Sequence, residues 1–172
     1  FISFAFSPDI HARAKEKQTK ITQQSPQPEY GFNDVVEKAQ RLSSAAYEDP
    51  RGKMPQWLLE ITYDQLRDIR FIPDKSHWRK ENLPFELQFF HAGLYFDRTV
   101  KINEILPSGP VPIRFSTDLF IYEKSAQELK AKIPQDFGFA GFRIHCNLNN
   151  ETYKDEAAVF LGASYFRAVA KS

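Results

Sequence analysis

Apolar positions recur along this chain in two rhythms, one of about 3.6 residues and one of about two. Between Gly31 and Ala46 they fall at Phe32, Val35, Val36, Ala39 and Leu42. That spacing draws one apolar stripe along a helix. Asn33 is the expected N-cap. The stripe must pack on something: docking on a sheet is the expectation, and a protein-binding helix is the alternative. From Phe85 the rhythm changes. Phe85, Leu87, Phe89 and His91 share one face at period two, and Glu86, Gln88 and Phe90 share the other. This is the pattern of a strand with one buried face. Gly93 permits a bend or bulge. Val100 and Ile102 then restart the alternation against Lys101 and Asn103, so 85–105 is expected to form two neighbouring strands.

The remaining elements are shorter. Tyr47 to Pro55 reads as loop, with Asp49-Pro50 and Gly52 as turn residues, and Gln56 to Leu59 as a helical turn. Thr62-Tyr63-Asp64-Gln65 matches a capping box that opens a short helix. Ile69 to Ile72 is a short strand stopped by Pro73. Trp78 lies in a polar loop and is expected to plug the sheet edge, with sugar stacking as the sharper alternative. Pro107 to Pro112 reads as a turn-rich connection. Ile113 to Phe115 and Leu119 to Tyr122 are strand candidates, and Ser125 to Ile133 is a helical turn ended by Pro134. Phe142 to Leu148 is the cleanest strand: Phe142, Ile144, Cys146 and Leu148 alternate with Arg143, His145 and Asn147. Ala157 to Ala170 is expected to be one long strand, kinked at Gly162, with Tyr165 and Arg167 on the face opposite Phe160 and Phe166. The fold class is mainly β, an antiparallel β-sandwich with a leading α-helix. Phe89, Val100, Ile102, Phe142, Ile144 and Leu161 are the expected core.

Composition narrows the function classes. The 172 residues make one domain or part of a larger one. A formal net charge of +1 gives no reason to expect a nucleic-acid partner or an acidic ligand. Aromatics reach 15%, with 16 Phe, which favours sheet packing and ring-lined surfaces. The lone Cys146 excludes an internal disulfide and reads as a small buried hydrophobe. No stretch has the roughly 20 apolar residues of a membrane span. The apolar start FISFAF and the Ala12-Arg13-Ala14 triplet fit a signal-peptide remnant with mature protein from about Lys15. Residues 15–29 are polar and read as a tether.

Reaction motifs are missing. There is no G-x-G-x-x-G before a helix, no P-loop and no G-x-S-x-G elbow. His11, His77, His91 and His145 show no metal-ligand spacing, so neither a metal nor another cofactor is expected. Asp97, Glu104, Asp118 and Asp136 sit at expected turns or strand ends and read as solvated turn residues. Asn150-Glu151-Thr152 matches the glycosylation triplet by letter only.

Five stretches together carry a resemblance: YGFNDVVEKAQRLSSAAYE, YDQLRDIRFIPDKSHW, LPFELQFFHAGLYFDRTVKINEI, FGFAGFRIHCNLN and LGASYFRAVAKS. In this order and spacing they resemble the periplasmic glucan biosynthesis protein G/D family, over roughly Tyr30 to Ser172. The resemblance implies export to the periplasm of Gram-negative bacteria and a part in making osmoregulated periplasmic glucans, which are β-linked glucose oligomers. It implies a galactose-mutarotase-like supersandwich crossed by a long cleft, and an inverting endo-β-1,2-glucanase activity. Inverting enzymes hold two carboxyl groups about 6.5–9.5 Å apart. The family's hydrolytic acids match nothing in this sequence, so no catalytic residue carries over.

The chain is therefore expected to be a leader over 1–29 followed, over 30–172, by the N-terminal part of the glucan-processing β-sandwich domain. A non-catalytic glucan-binding module and a scaffold for the membrane glucosyltransferase are the alternatives. The candidate glucan contacts are His91 and Tyr95, which flank the Gly93 bend, and Tyr165 and Arg167 on the last strand. The plainer reading of each is a packing or ladder residue.

Overall fold

The computed structural model describes residues 30–49, 51–162 and 165–170. The leader expected over 1–29 lies outside the described residues.

Strands β1 (Ile69–Phe71) and β5 (Phe120–Tyr122) pair antiparallel as a small sheet. Strands β2 (Phe85–His91), β6 (Phe139–Cys146), β7 (Asp155–Leu161) and β8 (Tyr165–Ala168) form an antiparallel four-stranded sheet in that spatial order. Strands β3 (Asn103–Leu106) and β4 (Gly109–Pro112) make a separate hairpin. Helix α1 (Phe32–Ser43) leads, and the short helices α2 (Gln56–Leu59) and α3 (Tyr63–Arg67) precede β1. The capping box of α3 forms: the Gln65 N–H donates to Thr62 Oγ1 at 3.2 Å, and the Thr62 N–H to Gln65 Oε1 at 2.8 Å. A 3-10 segment, Lys124–Lys132, follows β5 and buries Ala126 and Leu129.

The core joins the small sheet to the large one through rings. Phe89 of β2 stacks on Phe139 of β6 with centroids 4.3 Å apart, and meets Phe71 of β1 edge-on at 5.8 Å. Phe71 also meets Phe120 of β5 edge-on at 5.5 Å. Edge and offset contacts of this kind add about 0.5–1.5 kcal/mol each beyond area burial. Two glycines are demanded by space. A Cβ on Gly141 would stand 2.1 Å from the Phe160 carbonyl oxygen, so only glycine lets β6 and β7 pair there. Gly93 has φ +140 and exchanges hydrogen bonds with Phe96, a tight turn that an L side chain would strain.

The mainly β architecture with a leading helix matches the sequence pattern; several details do not. The α1 stripe does not dock: Phe32 is 79% and Leu42 66% exposed, and α1 buries no residue against the described part of the chain. Its first turn is closed by the Asp34 carboxylate, which accepts the Gly31 N–H at 2.7 Å, so Gly31 and not Asn33 is the N-cap. β2 and β3 are not neighbours. One edge of β2 is taken by β6 and the other meets His77, while the Val100 N–H donates to Phe139. The Pro107–Pro112 connection contains β4, because a two-stranded hairpin has only edges and edges tolerate proline. Ile113–Phe115 is not a strand. Ala157–Ala170 is two strands: Gly162, at φ +62, stands where β7 gives way to β8, and Phe160 lies opposite Phe166. Of the expected core only Phe89 is fully buried; Val100, Ile102, Phe142, Ile144, Leu161 and Cys146 are partly covered. The cover over β6 and β7 is thin, since Phe142 stacks on a Phe160 that is itself 40% exposed. Trp78 does plug the β2 edge. It packs on the core beside the His77–Leu87 bridge, and its indole N–H donates to Glu104 at 2.6 Å.

Candidate functional site

The face of the large sheet turned away from the ring core is polar. Register places Glu86, Gln88 and Phe90 of β2 opposite His145, Arg143 and Gly141 of β6. It then sets Arg143 against Val159 and His145 against Glu156 of β7, and Val159 against Arg167 of β8. Period two turns these residues to one side. Glu86, Gln88 and His145 are buried in spite of their polarity.

Every charge on this face has a counter-charge. The Glu86 carboxylate accepts from Arg79 at 2.7 Å and from Lys154 at 2.9 Å. Burial opposes its ionisation, but the two cations outweigh burial and hold its pKa below the ordinary carboxylate range. Glu156 accepts from Arg167 and, at 3.4 Å, from Arg143. Again burial works against the charge, and the guanidinium groups win. Arg143 also donates to the Gln88 side-chain oxygen at 2.7 Å and lies 5.6 Å above the Phe90 ring. His145 Nδ1 lies 3.0 Å from the Lys154 carbonyl, which orients its ring.

Open cavities flank this charge lattice. At the β8 end a cavity of about 490 Å³ is lined by Tyr95, Asp97, Arg98, Leu161 and Tyr165 among others. Tyr95 is delivered by the Gly93 turn and is 73% exposed; Tyr165 is 50% exposed. Arg98 and Asp97 form a two-point pair at 2.8 and 3.2 Å, and that bond keeps the Asp97 pKa below its usual value. At the β2 end a cavity of about 640 Å³ is lined by Glu86, Gln88, Arg143, His145, Asn147 and Lys154 with their neighbours.

The structure thus brings Tyr95 and Tyr165 into one cavity and sets Arg167 on the adjoining sheet face. His91 is elsewhere. It is 5% exposed and ringed by Phe115, Phe120, Tyr122 and Phe137. Burial drives its pKa down to about 4, against the hydrogen bond between Nδ1 and the Ala92 carbonyl. It sits as a neutral residue inside the ring core, away from the cavity of Tyr95 and Tyr165. Glu86, Gln88, Arg143 and Glu156 were not among the sequence candidates. Their signal was present, because alternation had already set Glu86, Gln88, Arg143 and His145 on the non-core faces. No group of three or more His, Cys, Asp or Glu suited to a metal ion occurs among the described residues. No described helix is long and apolar enough to cross a membrane.

Residues 30–172 match the family model described as periplasmic glucan biosynthesis protein, MdoG. The chain belongs to this family. Relatives named glucans biosynthesis protein G include one from Ralstonia nicotianae, 49% identical over 142 residues, which are 83% of this chain and 28% of the relative. Another, from Rhodopseudomonas palustris, is 43% identical over 86% of this chain and 29% of its own length. One from Dickeya dadantii is 39% identical over 83% and 27%. The chain therefore spans less than a third of the relatives it matches.

Proposed function

We propose that this chain is the N-terminal portion of an exported protein of periplasmic glucan biosynthesis, and that its polar sheet face is a wall of the glucan site. Residues 30–172 would be the first part of the large β-sandwich domain and 1–29 its leader. The family match and the names of the relatives support the process and the compartment. The observation that carries the binding role is the closed pairing of the charges on this face. Glu86, Gln88, Arg143, Glu156 and Arg167 offer donors and acceptors side by side, each charge already held by an opposite one, beside the rings of Tyr95 and Tyr165. Neutral polyhydroxyl chains are held by such planar polar groups and by ring faces. Tyr95, Tyr165 and Arg167 are the proposed contacts.

Binding is favoured over hydrolysis for this stretch. A glycosidase acid must hold its proton near neutral pH, which requires a raised pKa. Glu86 and Glu156 are shifted the other way. An inverting endo-β-1,2-glucanase activity would belong to the longer protein and draw its acids from outside these residues. A scaffold for the membrane glucosyltransferase is the remaining reading. Titration of linear β-1,2-glucan into the chain, followed by amide NMR, tests the proposal. Shifts should map to residues near Tyr95, Arg143 and Tyr165, and Tyr95→Ala with Tyr165→Ala should weaken binding about tenfold or more. Binding that ignores both tyrosines would reject this face. Release of short oligosaccharides by this chain alone would place the chemistry here.

A further inference from the structure

A second region differs in kind from the paired sheet face. A cavity of about 710 Å³ opens between 99–103, the start of the segment after β4, and the loop 135–139 that leads into β6. An adjoining cavity of about 400 Å³ shares Thr99, Lys101, Asp136, Phe137 and Gly138 with it, so the two form one groove. The walls are tied together. The Val100 N–H donates to the Phe139 carbonyl at 2.8 Å, and the Ile113 N–H to Ile102 at 2.9 Å. Gly138 is packed so closely that a Cβ there would stand 2.7 Å from Thr99 Cβ. The buried rings of Phe115 and Phe139 form part of the lining.

The polar groups of this groove are not spent on one another. Among the described residues neither Lys101 nor Arg114 has a carboxylate within ion-pair distance, in contrast to Arg79, Arg143, Lys154 and Arg167 on the sheet face. The side chains of Asn103 and Gln135 donate to no described group. The backbone N–H groups of Lys101, Arg114 and Gly138 find no backbone acceptor among the described residues. Asp136 is the one acid in the lining, against Lys101 and Arg114 in the larger cavity and against Lys53, Arg98 and Lys101 in the smaller. Two of those cations are engaged elsewhere, Arg98 with Asp97 and Lys53 with Glu48. The excess is positive, on a chain whose total is only +1.

We propose that this groove binds an oxyanion, the phosphate or carboxylate group of a small ligand, through Lys101 and Arg114. Charge-assisted bonds from a guanidinium and an ammonium are the strong ones for such groups, and free backbone N–H groups add donors. The aromatic lining leaves room for an apolar or ring-bearing remainder of the ligand. This site does not rest on the glucan reading, since it shares no lining residue with the cavity of Tyr95 and Tyr165 in its larger part.

The test is amide NMR of the full chain titrated with inorganic phosphate, with sodium chloride at matched ionic strength, and with glucose. Phosphate should produce saturable shifts over 99–103, 113–115 and 135–139; chloride and glucose should not. Lys101→Gln with Arg114→Gln should weaken phosphate about tenfold or more, and Lys101→Arg with Arg114→Lys should retain it. Both positions are exposed, so the β6 amides should stay in place and report an intact fold. Equal shifts with chloride would reduce the groove to general screening and overturn the site. So would undiminished phosphate binding in the glutamine pair, or phosphate shifts centred on Arg143 and Arg167. Loss of glucan binding with phosphate binding intact would sink the sheet-face reading and leave this one standing.

Discussion

The polar sheet face and the groove beside it carry similar cations and use them differently. On the sheet, Arg79 and Lys154 share Glu86, and Arg143 and Arg167 share Glu156. In the groove Lys101 and Arg114 stand alone among the described residues. The cause is local placement. The β6–β8 ladder brings Glu156, which stands opposite His145, within reach of Arg143 and Arg167, which both stand opposite Val159, and Glu86 is met by Arg79 and Lys154 from the segments beside the sheet. Lys101 and Arg114 themselves lie outside the strands, and among the described residues no acid comes within ion-pair distance of either. A face of closed pairs suits uncharged hydroxyl groups; a groove of open cations suits an anion. Cation count alone does not separate the two.

The contrast breaks most sharply at Glu86. Its side chain is 8% exposed, so Glu86→Gln leaves Lys154 without a carboxylate, while Arg79 keeps Asp74 at 3.6 Å, and should cost about 2–3 kcal/mol. Urea denaturation at neutral pH measures it. A cost under about 0.5 kcal/mol would mean that the pairs are incidental.

Acid sensitivity separates a titratable group with no counter-charge from the paired ones. His91 titrates near 6.5 when unfolded and at about 4 when folded. The unfolded chain therefore binds the extra proton between those values. Stability is full above about pH 6.5 and falls as pH drops to about 4, by on the order of 2–3 kcal/mol. Glu86 and Glu156 act in the opposite sense of charge and lower in pH. Their folded pKa values are depressed, so their contribution is present above the unfolded value and lost as pH falls through the folded one. His91→Phe should flatten the limb between pH 6.5 and 4 and leave the lower limb. A limb unchanged in that variant would remove His91 as its source.

At the exposed end of the lattice the effect shrinks. The Arg167 side chain is 63% exposed, and Arg167→Gln should cost less than about 1 kcal/mol. Thermal melts in low and high salt check it, because an exposed pair should lose its small contribution in salt. The smallest effect belongs to the groove. Lys101→Gln and Arg114→Gln should each move stability by no more than about 0.5 kcal/mol, since neither cation has a partner to lose. A larger loss in denaturant titrations would reveal a structural pair and weaken the contrast.

Local pattern by itself determined a good deal here. Period-two alternation placed Leu87 and Phe89 inward and Glu86, Gln88, Arg143 and His145 together on non-core faces. The Thr62–Gln65 box and the stop at Pro73 were legible because caps and proline act within a few residues. Five stretches of sequence were enough to point to the family. Tertiary structure alone decided who pairs with whom. The β2 edges went to β6 and to His77, so Val100 and Ile102 could not join β2 despite their spacing. His91 continued the Phe89 face, and only packing showed that the face ends inside a cage of rings. The α1 stripe was readable, but whether a surface lies against it was not. Charge pairing was equally invisible, because an Arg and a Glu become partners through how the strands and the segments beside them come together, which spacing along the chain does not show. Lys101 and Arg114 look in sequence like Arg143 and Arg167; the fold gave carboxylates to the second pair and left the first without them.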